Sequence, residues 1–122
     1  MIIERTILQR VPEGNSIDTA EYETLLLDGI TCPDIFQKDR LFLERFTHCV
    51  HLSFNSSGLK NLRNFPSMEK LVKLELQDNK ISAGLDIIAE RCPNLEVLKL
   101  TNNYLMSINE VMKLSSLGPI LR

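Results

Sequence analysis

The strongest structural signal in this chain is the segment Leu71-Val-Lys-Leu74-Glu-Leu76-Gln-Asp-Asn79-Lys-Ile81. Its apolar residues are separated by fixed intervals, and an asparagine stands three residues after the third leucine. The same arrangement returns 24 residues later as Leu95-Glu-Val-Leu98-Lys-Leu100-Thr-Asn-Asn103-Tyr-Leu105. A fixed period of this length is the signature of one small structural unit repeated along a chain.

Both segments match the leucine-rich repeat consensus L-x-x-L-x-L-x-x-N-x-L at all its defined positions. Residues 49–59 keep the apolar skeleton but place Ser57 at the asparagine position, and the segment 22–32 is more degenerate. Residues 117–122 hold only the start of another repeat. We therefore predict about four repeats within residues 17–116 and a partial fifth repeat in 117–122.

The spacing of the leucines predicts the geometry of each repeat. Side chains alternate along a strand, so each L-x-L becomes a short strand whose leucines point inward. One repeat cannot bury its leucines alone, and stacked repeats form a parallel sheet. We predict an α/β leucine-rich repeat solenoid with the sheet on the concave face and helices and loops on the convex face. Asn79 and Asn103 are predicted to be structural asparagines that hydrogen-bond backbone groups at the turn leaving each strand.

The segments between strands differ in their patterns. Leu85, Ile88, Ala89 and Cys92 fall on one stripe of a helix, and Pro93 follows that stripe. The segment 108–114 predicts one or two helical turns, whereas 62–68 is more typical of a 3₁₀ turn or loop. We expect these segments to pack on the convex side.

A helical cap is expected at the N-terminus, within residues 1–16. Ile3, Ile7, Leu8 and Val11 lie on one face of a helix that precedes Pro12. Terminal repeats need such a cap, because the first strand would otherwise expose its leucines.

Composition bounds the functional class of the chain. With 122 residues, 43% of them hydrophobic, it has room for a single domain over residues 1–122. A formal net charge of -2 gives no broad basic surface, so we expect no direct nucleic-acid partner. No apolar run approaches the roughly 18 residues that cross a bilayer, and charge interrupts Met1-Ile-Ile-Glu-Arg5 too early for a signal peptide. We expect an intracellular protein with no membrane partner.

Few residues suggest chemistry. Cys32, Cys49 and Cys92 are an odd number at irregular spacing, which is typical of buried thiols in a reducing compartment. His48-Cys49-Val50-His51 has no second ligand pair at a usable spacing, so no metal site is expected. Phosphate-binding loops and the common nucleophile motifs are missing from the sequence. We expect no catalytic residues and no cofactor.

The segment Leu74-Glu-Leu-Gln-Asp-Asn-Lys-Ile-Ser-Ala-Gly-Leu-Asp-Ile-Ile-Ala-Glu-Arg-Cys-Pro-Asn-Leu95 is more specific than the general consensus. It resembles, almost residue for residue, the pattern L-E-L-S-D-N-x-[VI]-S-G-G-L-E-x-L-A-E-K-C-P-N-L of the acidic leucine-rich nuclear phosphoprotein family of 32 kDa. The general repeat does not require Ala-Glu-Arg-Cys-Pro-Asn at residues 89–94, so this run carries the resemblance.

The resemblance implies an adaptor of the nucleus and cytoplasm. Proteins of that family bind core histones, mask histone tails from acetylation and inhibit protein phosphatase 2A. The family's C-terminal cap and acidic tail have no counterpart in this sequence, so we expect a fragment or a short uncapped paralogue. The alternative is a spliceosomal adaptor similar to the U2 snRNP A-prime protein, in which the concave face would hold a helix of an RNA-binding partner.

The candidate partner-binding surface is the concave face, formed by the residues that alternate with the leucines. Because it mixes acidic and basic side chains, it suits a polypeptide better than a phosphate backbone. Without a C-terminal cap, the fourth strand would present an unpaired edge, so we also expect possible homo-oligomers through that edge. The outward positions are Thr24, Leu26, Asp28, His51, Ser53, Asn55, Lys73, Glu75, Gln77, Val97, Lys99 and Thr101.

Overall fold

The computed structural model describes residues 2–10 and 18–117. Four strands form one sheet in sequence order, and each pairs in parallel with the next. The strands are β1 (Thr24–Leu26), β2 (His51–Ser53), β3 (Lys73–Glu75) and β4 (Val97–Lys99). The structure confirms the predicted parallel solenoid, because each strand belongs to a different repeat and the four strands pair in one common register.

The inward leucines form the core. Leu52 and Leu74, at the centres of their strands, are both 0% exposed, and Leu25 is 3% exposed. The next inward position along the repeat, which Leu27 and Leu76 occupy, is also fully buried. Each such side chain contributes roughly 1.5 to 3 kcal/mol to folding by leaving water. The sheet is therefore held by the apolar column that the repeat spacing predicts.

A left-handed residue follows each strand at the same position of the repeat. Gly29, Ser56, Asp78 and Asn102 have φ angles of 79°, 57°, 58° and 60°. Glycine, asparagine and aspartate tolerate this conformation better than other residues, so Ser56 is the least suited of the set. This turn also joins successive repeats, since the N–H of Ser56 donates to the carbonyl of Gln77 in the next repeat.

The two asparagines tie each repeat to the preceding one. The Oδ1 atom of Asn79 accepts hydrogen bonds from the backbone N–H groups of Ser57 and Leu59, both at 3.0 Å. The Oδ1 atom of Asn103 accepts from the N–H of Ile81 at 3.1 Å. The amide nitrogens donate to carbonyls, so these side chains satisfy backbone groups that the turns leave unpaired.

Short helices occupy the connections. The α-helices are α1 (Ile2–Leu8), α2 (Gln37–Leu43), α3 (Leu85–Arg91) and α4 (Ile108–Met112), and 3₁₀ turns lie at Thr19–Glu21 and Ser115–Leu117. The stripe predicted for α3 is buried on the core. Helix α2 was not anticipated from the sequence, because no repeat pattern covers its residues. The segment 62–68 contains no helix, as the sequence predicts.

Helix α1 packs mainly against α2. Ile3 and Ile7 are buried at 0% and 3% exposure, but Leu8 is 44% exposed, so its predicted place on the buried face is wrong. The helix ends at Leu8, earlier than the predicted end before Pro12. Residues 11–16 of the predicted cap, including Val11, lie outside the described residues.

Helix α4 confirms the helical turns predicted in 108–114, but its apolar side chains are mostly exposed. Ile108, Val111 and Met112 are 71%, 43% and 63% exposed. The buried residue of this helix is Glu110, whose Oε1 accepts a hydrogen bond from the backbone N–H of Leu85 at 2.9 Å. The helix is thus held against α3 by a capping carboxylate rather than by an apolar stripe.

The last part of the predicted fifth repeat, residues 118–122, lies outside the described residues. Among the residues described, no helix has the length and apolar character needed to cross a membrane.

Candidate functional site

The concave face consists of three rows that cross the strands. Strand pairing places Thr24, His51, Lys73 and Val97 in the first row, and Leu26, Ser53, Glu75 and Lys99 in the second. The repeat spacing places Asp28, Asn55, Gln77 and Thr101 just beyond the strand ends. All the predicted outward positions therefore share one side of the sheet, and the differences among them lie in how free each side chain is.

Three of these side chains are engaged with one another across the first two repeats. The Oδ1 atom of Asp28 accepts hydrogen bonds from the hydroxyl of Ser53 and, at 2.8 Å, from the backbone N–H of Asn55. The Asn55 amide donates to the Ser53 hydroxyl at 3.1 Å. Its Oδ1 atom accepts from the N–H of Gln77 at 2.8 Å.

This network corrects the prediction that Ser53 binds a partner. Ser53 occupies an outward register position but is only 1% exposed, because Asp28 and Asn55 lie over it. Asp28 itself remains exposed, and Asn55 is half-buried. The three residues stabilise the contact between repeats, and Ser53 is not available to a ligand.

His51 and Glu75 form the other engaged pair on the concave face. The Nε2 atom of His51 lies 2.6 Å from Oε2 of Glu75. This hydrogen bond lowers the pKa of Glu75 below its usual value, and the positive charge of Lys73 acts in the same direction. The Glu75 carboxylate therefore stays ionised and directed at its neighbour on β2.

The remaining outward side chains are free to meet a partner. Leu26 is 51% exposed, Lys99 and Thr101 are exposed, and Lys73 and Val97 are half-buried. Among the residues that the structure describes, neither lysine makes an ion pair within 4.0 Å. The free charges of this face are thus cationic, whereas its carboxylates already have partners.

Arg10 borders this surface and was missed by the sequence analysis. Its Nη1 atom donates a hydrogen bond to the carbonyl of Leu26 at 2.5 Å. The arginine comes from the segment after α1, and no repeat position predicts its approach to β1. It holds the end of β1 where the exposed Leu26 side chain projects.

The cysteines are placed in the core. Burial raises the pKa of Cys32 and of Cys49 to about 11, and that of Cys92 to about 12. All three thiols therefore remain protonated at neutral pH. Within residues 2–10 and 18–117, no group of three or more metal-binding side chains is close enough to hold an ion.

Residues 69–117 match the sequence model of a family described as Leucine Rich repeats (2 copies). The match covers β3 and β4 with the asparagines that follow them, so this part of the chain contains two leucine-rich repeats. Such repeats typically form extended surfaces that bind other proteins. The match is to the repeat in general and carries nothing particular to the acidic nuclear phosphoproteins.

Proposed function

We propose that this leucine-rich repeat chain is a non-catalytic interaction module that binds a partner polypeptide through its concave face. The observation that supports the proposal is the alignment of outward side chains across all four strands, with Leu26 left 51% exposed at one end. An exposed large apolar side chain beside uncommitted polar groups is typical of a binding surface.

The free side chains define the chemistry of that partner. A segment crossing the sheet would place an apolar side chain on Leu26 and a carboxylate near Lys73 and Lys99. These lysines are adjacent to the half-buried Val97, which adds apolar contact between the charges. Binding at this face therefore combines one apolar anchor with charge recognition at the other end of the sheet.

The resemblance over residues 74–95 supplies the named candidates, which are core histones and protein phosphatase 2A, in the nucleus and cytoplasm. The concave face itself favours an acidic segment, because the carboxylates of Asp28 and Glu75 are already hydrogen-bonded. For histones, which are basic, the proposal thus rests on the resemblance more than on this face.

The test is a calorimetric titration of the chain with purified core histones and, separately, with purified phosphatase 2A at low and moderate salt. Leu26→Ser is the concave variant, and Leu41→Ser on α2 is its matched control, since the two leucines are 51% and 54% exposed. We expect Leu26→Ser to weaken binding about tenfold and Leu41→Ser to leave it unchanged. Equal effects of both variants would contradict binding at the concave face.

Self-association is a second candidate function, supported by the C-terminal end of the sheet. Leu98 and Leu100 are only partly buried, unlike their counterparts in the earlier repeats. Beyond them, Met106, Ile108 and Met112 are 95%, 71% and 63% exposed. We propose that a second copy of the chain covers these side chains and pairs with β4, the last strand of the sheet within the described residues.

Sedimentation velocity over a range of concentrations tests self-association. The paired substitution Ile108→Ser with Met112→Ser is expected to shift the chain toward monomer. Phe36→Ser with Leu41→Ser is the control, because those side chains are 58% and 54% exposed at α2. A wild-type chain that stays monomeric at high micromolar concentration would contradict this candidate.

A further inference from the structure

A cleft of about 490 Å³ lies at the N-terminal ends of β2, β3 and β4, outside the concave rows. Its walls come from three successive segments between repeats, at residues 44–49, 67–70 and 90–93. This volume is within the range of roughly 300 to 1,000 Å³ that small-ligand sites occupy. The cleft can therefore hold a side chain and the neighbouring backbone of a bound peptide.

The base of the cleft is apolar, and hydrogen bonds close the turns beside it. Phe46, Cys49 and Met68 line it and are 2%, 1% and 4% exposed. The turns on either side close through hydrogen bonds of 3.2 Å, from the N–H of Cys49 to the carbonyl of Phe46 and from the N–H of Leu71 to that of Met68. A ligand would not have to order these turns, so binding would cost less conformational entropy.

Some of the charged groups lining the cleft are already occupied. The Oε2 atom of Glu44 accepts hydrogen bonds from Nε of Arg40 at 3.2 Å and from the backbone N–H of Ser67 at 2.7 Å. The Nη1 atom of Arg91 donates to the carbonyl of Phe65 at 2.8 Å. Neither side chain is fully available to a ligand.

The carboxylates of Glu69 and Glu90, unlike that of Glu44, are available to a ligand. Both line the cleft and are exposed, and neither has a side-chain hydrogen bond or ion pair with any residue that the structure describes. The lining carries three carboxylates, those of Glu44, Glu69 and Glu90, and two cations, Lys70 and Arg91, whose charge is kept in its hydrogen bond to a carbonyl. The carboxylates of Glu69 and Glu90 are therefore the hydrogen-bond acceptors left for a cationic side chain above the apolar base.

We propose that this cleft binds a lysine or arginine side chain of a partner polypeptide. The aliphatic stem of such a side chain packs on Phe46 and Met68, and its charged end meets Glu69 and Glu90. Long basic side chains combine an apolar stem with a charged head in this way. The proposal does not rest on the concave face, since none of these residues belongs to its rows.

The test uses three capped tripeptides in which leucine flanks a central arginine, norleucine or glutamate. Each is titrated into the ¹⁵N-labelled chain while the amide shifts of residues 47–49 and 67–70 are followed. The variant Glu69→Gln with Glu90→Gln removes the free carboxylates. Its matched control is Glu21→Gln with Glu23→Gln, because those exposed glutamates lie outside the cleft.

We expect the arginine peptide to shift the cleft amides and to bind about fivefold more weakly to the variant at low salt than to the wild type. The control variant should bind like the wild type. Three outcomes would overturn the proposal: equal binding of the arginine and norleucine peptides, preference for the glutamate peptide, or shifts confined to the strands.

Discussion

Asp39 of α2 caps the first helix through Ile3, whose backbone N–H donates to the Asp39 Oδ2 atom at 3.3 Å. The other carboxylate oxygen accepts from the N–H of Glu4 at 3.1 Å. Glu110 of α4 does the same for α3, at the N–H of Leu85. Helices of this length are marginal alone, so caps supplied by a neighbouring helix couple each short helix to the rest of the fold.

Substitution of Asp39 by asparagine tests this coupling. Asparagine replaces one of the two carboxylate oxygens by an amide group, and that amide would face an N–H group that now donates to Asp39. Asp39 is 0% exposed, so we expect Asp39→Asn to lower the free energy of unfolding by about 1 to 3 kcal/mol in urea denaturation. Asp86→Asn on α3 is the control, because its side chain is 62% exposed. A similar loss in both variants would show that the buried cap is not the cause.

The two repeat asparagines are expected to differ in their contribution to stability. Asn79 is 4% exposed, and Asn79→Ala leaves the buried N–H groups of Ser57 and Leu59 without partners. We expect a loss of about 3 kcal/mol. Asn103 is only half-buried, so water can replace its bonds, and Asn103→Ala is expected to cost about 1 kcal/mol. Equal losses in thermal or chemical unfolding would be inconsistent with this difference in burial.

The acid stability of the chain follows from carboxylates with lowered pKa values. A hydrogen bond from Lys113 lowers the pKa of Glu110 below 4.5, and His51 lowers that of Glu75 in the same way. A carboxylate whose pKa is lower in the folded state stabilises the fold above the unfolded pKa. That stabilisation is lost as the pH falls below 4.5 and through the folded pKa.

Glu110→Gln therefore should cost stability at neutral pH and much less in acid. Urea unfolding measured between neutral pH and pH of about 3 should give a flatter pH profile for this variant than for the wild type. Glu23→Gln, at an exposed position, should leave the profile unchanged. If the pH profile of Glu110→Gln runs parallel to that of the wild type, the Glu110 carboxylate has the same pKa in the folded and the unfolded chain.

The sheet was predictable because the residue spacing within each repeat determines its strand. The spacing of Leu74 and Leu76 sets the inward face, and the same spacing in the other repeats sets the register. Asn79 could likewise be assigned to a turn, since its position in the repeat is fixed. None of this required knowledge of the neighbouring segments.

The contacts between neighbouring repeats were not predictable from one repeat at a time. Ser53 has an outward position, yet Asp28 of the preceding repeat covers it. Helix α2 has no repeat pattern, and its N-cap residue Phe36 makes no capping hydrogen bond with its side chain. The cleft depends on turns from three repeats, so its lining residues share no motif along the sequence.

The inward and outward positions of β3, of its continuation and of β4 can be separated by mutation. Leu76 is 0% exposed, and Leu76→Ala should lower the free energy of unfolding by about 2 to 5 kcal/mol through the cavity it opens. Glu75→Lys removes the hydrogen bond with His51 and is expected to cost about 1 kcal/mol. Lys99→Ala, at an exposed position, should stay within about 0.5 kcal/mol of the wild type. Guanidinium denaturation checks the order, and a loss from Lys99→Ala as large as that from Leu76→Ala would contradict the assignment of faces.

The buried thiols provide a final test of the core. Because burial raises the pKa of Cys49 to about 11 and that of Cys92 to about 12, only a very small fraction of either thiol is ionised at pH of about 8. Both side chains are at most 1% exposed, so a reagent can reach them only after the fold opens locally or globally. We expect a thiol-reactive disulfide reagent to label all three cysteines quickly in concentrated guanidinium chloride and none of them on the same timescale in the native chain. If opening is global, Asp39→Asn should speed native labelling by about tenfold for each 1.4 kcal/mol of stability that it removes. Rapid native labelling of Cys92 would place that thiol outside the packed core.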